Sequence, residues 1–194
     1  PKRFAISGTP TDCVLLGVDH IVEGANPDLV LSGVNKGQNM AEDITYSGTA
    51  SAAMEGAMLG IPAIALSQVF RPPAKPHWAT AEAWAGRVIE KLLGMEWRPG
   101  SFINVNFPDC QPEDVRGIRV TTQGMRPPGT FRPVRRVDER HVPYYWTRID
   151  FPEGGHAPGN DLQAALDKEV SVTPLQLDMT DRAALDRLRG VFGD

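Results

Sequence analysis

The sequence predicts an α/β protein, a Rossmann-like and mostly parallel sheet with helices on both faces. Three observations carry this. Two short apolar runs, Leu29-Val30-Leu31 and Ala63-Ile64-Ala65-Leu66, lack polar alternation, as do strands covered on both faces. Segments of helical period separate such runs, so strand and helix alternate as in βαβ units. Glycine and proline close both early helices, at Gly24 with Asn26-Pro27 and at Gly60-Ile61-Pro62.

The elements follow in chain order. Phe4-Ala5-Ile6 reads as a short apolar strand. Thr11 is placed to cap a helix whose stripe is Val14, Leu15, Val18 and Ile21 or Val22. A strand at 29–34 feeds a polar loop, and a helix runs from about Thr49 to Gly60. Residues 71–76 are a proline-rich loop. Trp78 to Leu93 is a helix, with Trp78, Ala81, Ala85, Val88, Ile89 and Leu92 at helical spacing and Gly94 at its end. Trp78 and Trp84 read as packing residues. Residues 102–107 alternate apolar and polar, which predicts a strand with one wet face. Gly117 to Thr122 is a further strand.

The character changes near residue 123. Residues 123–143 are rich in Pro, Gly and Arg, including Arg126, Arg132, Arg135, Arg136 and Arg140, and Tyr144-Tyr145-Trp146 follows. This stretch, with the loop from Pro152 to Gly159, is too proline-rich for a core. It reads as a hairpin or arm plus loops, serving oligomer contacts, covering a site, or simply solvated. Asp161 to Asp167 is a short helical turn, and Val170 to Leu175 a strand ending at a proline. Thr180 then caps a last helix with Leu185, Leu188, Val191 and Phe192 on one face. One domain is expected: a core of about 1–122, an arm of about 123–158, and a C-terminal strand and helix of about 159–194.

Composition narrows the class. The 194 residues suffice for one domain with a real core. Hydrophobic content of 41% and charged content of 23% are those of an ordinary globular chain. A net charge of −4 implies no basic face, which argues against a nucleic-acid polymer as partner. The two cysteines, Cys13 and Cys110, have no metal spacing and are too few for a disulfide framework, which fits a reducing, cytoplasmic compartment. No apolar run reaches membrane-spanning length, so no membrane partner is expected.

The stretch richest in chemistry is residues 32–56. Its first half is a glycine-bearing loop with two amides, Asn35 and Asn39. Its second half is Ser47-Gly48-Thr49 opening an alanine-rich helix. Ligands of α/β sheets sit beyond the carboxyl ends of strands. A helix start offers free N–H groups and partial positive charge, which suits an anion such as phosphate. No Glu or Gln stands three places after Ser47 or Thr49, so no capping box consumes those donors. The alternative is that Ser47 or Thr49 is an ordinary N-cap. An asparagine oxygen suits Mg²⁺, Mn²⁺ or Ca²⁺ but needs carboxylates beside it. Glu42-Asp43 is the acidic pair nearest the loop, and its favoured reading is a solvated turn.

Several chemistries lose their support. The sequence has no Gly-x-Gly-x-x-Gly, no Walker A run and no Gly-x-Ser-x-Gly. His20, His77, His141 and His156 are scattered and make no His-x-x-x-His pair, so each reads as a surface or loop residue.

Five segments together carry a family resemblance: Gly8-Thr9-Pro10-Thr11-Asp12-Cys13-Val14, Ser32-Gly33-Val34-Asn35-Lys36-Gly37-Gln38-Asn39, Tyr46-Ser47-Gly48-Thr49 with Ala52 to Gly56, Asn104 to Pro108, and Gly159-Asn160-Asp161 with Ser171 to Leu175. In this order the chain resembles the SurE (stationary-phase survival) family of metal-dependent 5′/3′-nucleotidases. The resemblance implies a Rossmann-like core, a divalent cation (Mg²⁺ or Mn²⁺) and hydrolysis of nucleoside monophosphates. It implies that Asn35 binds the metal and that Asn39, Ser47, Gly48 and Thr49 hold phosphate. It implies a homodimer or homotetramer assembled through the arm and the C-terminal helix. The family's opening strand ends in Asp-Asp-Gly, and a metal-binding serine follows. Neither has a counterpart here, so no residue of the chain is assigned as general base or nucleophile. The alternative expectation is a catalytically incomplete module that binds anions and assembles.

Overall fold

A computed structural model of the chain describes residues 2–149 and 157–193. Its centre is β3 (Ser101–Phe107), the middle of a five-stranded sheet. On one side lie β2 (Ala63–Gln68) and then β1 (Val30–Lys36), both parallel to β3. On the other lie β7 (Glu169–Gln176), antiparallel to β3, and then β4 (Gly117–Val120), parallel to β7. The sheet is mostly parallel, as the apolar runs predict, with one antiparallel junction.

Every residue of β2 is buried. Its alternate side chains serve two cores. Ile64 and Leu66 join Ile103, Val105, Phe107, Val170 and Val172 against α3 (Trp78–Leu93), which contributes Ala81 and Val88. Ala63 and Ala65 join Phe102 against α2 (Gly48–Met58), which contributes Ala50, Ala53 and Ala57. Helices therefore cover both faces, and burial of these side chains is the main term holding the layers together. Small residues let α2 sit close: a Cβ placed on Gly56 would lie 3.0 Å from Val30 Cβ and 3.1 Å from Ala63 Cβ.

α1 (Pro10–Leu16) begins two residues earlier than expected. Thr9, not Thr11, is its N-cap, because Pro10 lacks an N–H and fits the first helical position. Thr9 and Asp12 close a capping box, and the Thr9 backbone and hydroxyl hydrogen bonds hold the Asp12 carboxyl below its usual range. The helix passes into a wider turn (Gly17–Ile21) and ends at Val22, short of Gly24. Its apolar stripe is only half-covered within the chain.

The strand expected at Phe4-Ala5-Ile6 is not formed. The segment pairs with no described strand and Phe4 is exposed, so an apolar tripeptide without a partner stays extended coil. The predicted wet face of residues 102–107 is a second correction. Asn104 and Asn106 are fully buried beneath the 39–41 segment, whose backbone they bond.

Beyond β4 the chain makes a hairpin, β5 (Phe131–Val137) with β6 (Pro143–Ile149), exposed along nearly its whole length. The loop expected at 152–156, with His156, lies outside the described residues. α4 (Asp161–Leu166) is capped by Asn160. α5 (Arg182–Phe192) is capped by Asp181 rather than Thr180, the Asp181 carboxylate accepting from Ala184 N. Leu188, Val191 and Phe192 of α5 are exposed.

Candidate functional site

The carboxyl ends of the parallel strands, the start of α2 and the segment after β4 converge on one region. Ser47 is the N-cap of α2, its Oγ accepting from Ala50 N at 3.0 Å. The hydroxyl is thus an ordinary cap, as the alternative reading held. The N–H groups of Gly48 and Thr49 donate to no other described residue and remain available. Pro10 packs against Gly48, where a Cβ would lie 3.0 Å from Pro10 Cγ. The Gly-Thr-Pro segment thereby buttresses the helix start.

Asn39 is locked from below. Its N–H donates to Asn106 Oδ1 at 2.9 Å, and its carbonyl accepts from Asn104 Nδ2 at 2.7 Å and Asn106 Nδ2 at 3.2 Å. Its side-chain Nδ2 donates to Ser67 Oγ at 2.7 Å. A hydroxyl both donates and accepts, so Ser67 pairs equally well with the reversed amide, and Asn39 can turn either a donor or an acceptor toward a ligand. Asn35, half-buried near the end of β1, donates Nδ2 to Gly37 O at 3.0 Å and keeps Oδ1 free for a ligand.

A cavity of about 780 Å³ opens here. Asn39 and Ser47 line it; Asn35, Gly48 and Thr49 do not. Its near wall is the 3₁₀ turn Ala41–Tyr46 and its far wall runs from Arg126 to Phe131. Arg126 ties the walls together. Its guanidinium forks onto Asp43, Nη1 to Oδ1 at 2.9 Å and Nη2 to Oδ2 at 2.6 Å, while its backbone N–H donates to Glu42 Oε1. Nη1 also donates to Met40 O. Glu42-Asp43 is therefore no solvated turn. Both carboxylates point at a buried arginine more than eighty residues away in sequence, a partner that local pattern does not reveal.

Asp161 braces the same wall. Oδ2 accepts from Ala41 N at 2.9 Å, and Oδ1 from Gly124 N at 2.9 Å and Leu162 N at 2.8 Å. Burial pushes its carboxyl above the usual range, against the pull of those bonds and of Arg126. The Gly159-Asn160-Asp161 segment is thus a structural clamp on the site. Sequence reading of the residues alone passed over Arg126, Asp161, Ser67 and the Asn104–Asn106 pair as site-builders. The Asn-x-Asn spacing, which puts two amides on one face of a strand, was the available signal.

Among the described residues, no group of three His, Cys, Asp or Glu could hold a metal ion. His20 and His141 are exposed, and His77 lies 3.8 Å from Asp109. No helix of the described residues is long and apolar enough to cross a membrane.

The family described as "Survival protein SurE" matches residues 1–129. The chain is 50% identical to a 5'-nucleotidase SurE of Methylorubrum extorquens (strain PA1) over 195 residues, covering 98% of this chain and 76% of that protein. It is 47% identical to the 5'-nucleotidase SurE of Caulobacter vibrioides (strain NA1000 / CB15N), covering 99% and 74%. The crystal structure of SurE protein from Aquifex aeolicus superposes with a TM-score of 0.80 at 39% identity, covering 95% of this chain and 73% of that one. Segments found far apart in the sequence thus meet at one helix start and one cavity on a shared fold, and the chain belongs to the SurE family.

Proposed function

We propose that the protein is a phosphomonoesterase that hydrolyses nucleoside 5′-monophosphates, and 3′-monophosphates, to nucleoside and phosphate. The observation that carries this is the cavity of about 780 Å³ reaching the N-terminus of α2 at Ser47, beside a locked Asn39. A helix start with free Gly48 and Thr49 amides stabilises a phosphoryl group by fixed dipoles. The relatives' shared name, 5'-nucleotidase, supports the substrate class.

A divalent cation, Mg²⁺ or Mn²⁺, belongs to this reading, with Asn35 Oδ1 as one ligand. The described residues do not make that site alone. They offer one neutral oxygen where such a cation needs carboxylates. When bound, the cation would supply Lewis acidity and an activated water. The relatives are longer than this chain, which spans about three quarters of them.

The test is phosphate release from adenosine 5′-monophosphate, with Mn²⁺ and with a chelator. Release that the chelator stops supports the reading; no release from the metal-replete intact protein overturns it. That the described residues offer the cation only Asn35 Oδ1 favours a second reading, an anion-binding and assembly module without turnover. Nucleotide binding without release would establish it.

Homodimer or homotetramer assembly through β5–β6 and α5 completes the proposal. Both elements expose large apolar side chains, among them Tyr145, Trp146, Val191 and Phe192. Light scattering tests it, and a monomer at micromolar concentration would refute it. Both cysteines are free, in keeping with a cytoplasmic setting.

A further inference from the structure

Of the groups proposed to hold phosphate, Asn39 and Ser47 line the cavity. Its lining also includes an apolar and aromatic group, Tyr46, Pro127, Pro128, Gly129 and Phe131. Tyr46 is 85% exposed, although it lines a cavity and is the last residue of the 3₁₀ turn. A ring left open beside the helix N-cap, one residue away in sequence, is within reach of any molecule whose anion sits at that cap.

We propose that Tyr46 and the Pro127–Pro128 turn, which line the same cavity, form a slot for the planar heterocycle of the substrate, which makes Tyr46 a positioning and specificity residue. This rests on the nucleotide reading above. One wall of the slot is a stiff turn. Proline fixes φ at 127 and 128, and Thr130 bonds back to Pro127 O through its N–H at 3.3 Å and its hydroxyl at 2.8 Å. The root of that turn is Arg126, forked onto Asp43 in the same turn that carries Tyr46. The two walls are therefore joined by an ion pair and cannot drift apart independently. Behind them, Arg126 backs the Phe131 ring, 5.7 Å from its centroid.

Charge orders the two ends. Glu42 and Asp43 outnumber Arg126 among the charged lining residues and pair with it, so that cluster does not attract phosphate. The anion goes to the α2 start and the neutral ring to Tyr46. Aromatic side chains stack on any base, so the slot selects for a ring rather than for one base.

The experiment is calorimetric titration of the chain with adenosine 5′-monophosphate, adenosine and inorganic phosphate. Wild type, Tyr46→Ala and Tyr46→Phe are compared. Tyr46→Ala is expected to weaken the nucleotide and adenosine about tenfold and leave phosphate unchanged, while Tyr46→Phe binds all three as wild type does. Equal loss for phosphate, or no loss for adenosine, overturns the slot. Phosphate binding without any adenosine binding overturns it too, yet leaves the anion end standing. Tyr46-dependent adenosine binding without phosphate binding keeps the slot and overturns the phosphomonoesterase reading. If neither binds, both fall.

Discussion

Arg126 and Asp43 are joined by two parallel hydrogen bonds, Nη1 to Oδ1 at 2.9 Å and Nη2 to Oδ2 at 2.6 Å, although 83 residues separate them in sequence. The arginine side chain is 4% exposed and the aspartate side chain 17%. Such a fork brings together two segments that no regular element connects: the 3₁₀ turn before α2 and the strand-to-hairpin crossing after β4.

Breaking this pair is the first prediction. Arg126→Met leaves Asp43 shielded without its cation and Met40 O without its donor. Removing one partner of a buried pair costs about 3–5 kcal/mol. Urea denaturation should show a loss of that order. Replacing Asp43 by Leu in the same protein should recover part of it, because the orphaned carboxylate is gone. A double variant as unstable as the sum of the two singles would show that the pair does not act as a unit.

Much of the frame was readable from sequence because it rests on local period. β2 is an apolar run, α3 has a stripe at helical spacing that ends at Gly94, and α2 begins at a Ser-Gly-Thr cap. The misreadings share a different cause. Asn104 and Asn106 alternate with apolar residues like the wet face of an edge strand, yet the 39–41 segment covers them. Phe4-Ala5-Ile6 has strand composition, but a strand needs a partner. Glu42-Asp43 looks like surface until Arg126 arrives from the far side of the sheet. Each of these depends on a contact that only the folded chain supplies, and the site is built mainly from such contacts.

The amides under Asn39 give the second prediction. Asn106 both accepts from and donates to the Asn39 backbone. Asn106→Leu keeps the branched shape at a somewhat larger volume and strips both bonds, leaving a buried N–H without a partner. The expected cost is about 1–3 kcal/mol. Phosphate affinity should fall as well, since Asn39 is no longer held beside Ser47. A variant that loses stability in a thermal melt yet binds phosphate as wild type would separate Asn39 from the anion site.

Asp161 gives a pH prediction. Its carboxyl is raised in the folded protein by burial, so the folded state takes up this proton more readily than the unfolded chain. Its stability contribution is full below the ordinary carboxylate value of 3.8 and is lost as pH rises through the raised folded value. Asp161→Asn cannot titrate, and its amide faces Ala41 N–H or Gly124 N–H with a donor. It should be less stable at neutral pH by about 1–3 kcal/mol. The wild-type lead should widen as pH falls from neutral into the carboxylate range. Chemical denaturation at several pH values reads this out, and a lead that narrows in acid would reverse the assignment.

The last prediction sets one substitution against itself. Gly56 lies in α2 and Gly86 in α3, both mid-helix. Glycine in a helix interior is less favourable than alanine by about 1 kcal/mol, so on backbone grounds either change to alanine stabilises. Gly86 has nothing within 4 Å of a new Cβ, and Gly86→Ala should gain about 0.5–1 kcal/mol. At Gly56 the new Cβ meets Val30 Cβ at 3.0 Å and Ala63 Cβ at 3.1 Å. Those atoms sit on adjacent strands and cannot swing aside as a side-chain tip would. Overpacking of this kind costs about 1–3 kcal/mol and cancels or exceeds the helix gain. Thermal melts of the two variants should therefore move apart, Gly86→Ala above wild type and Gly56→Ala at or below it. An equal rise in both would mean that α2 can lift from the sheet, and with it the Ser47 end that the cavity depends on.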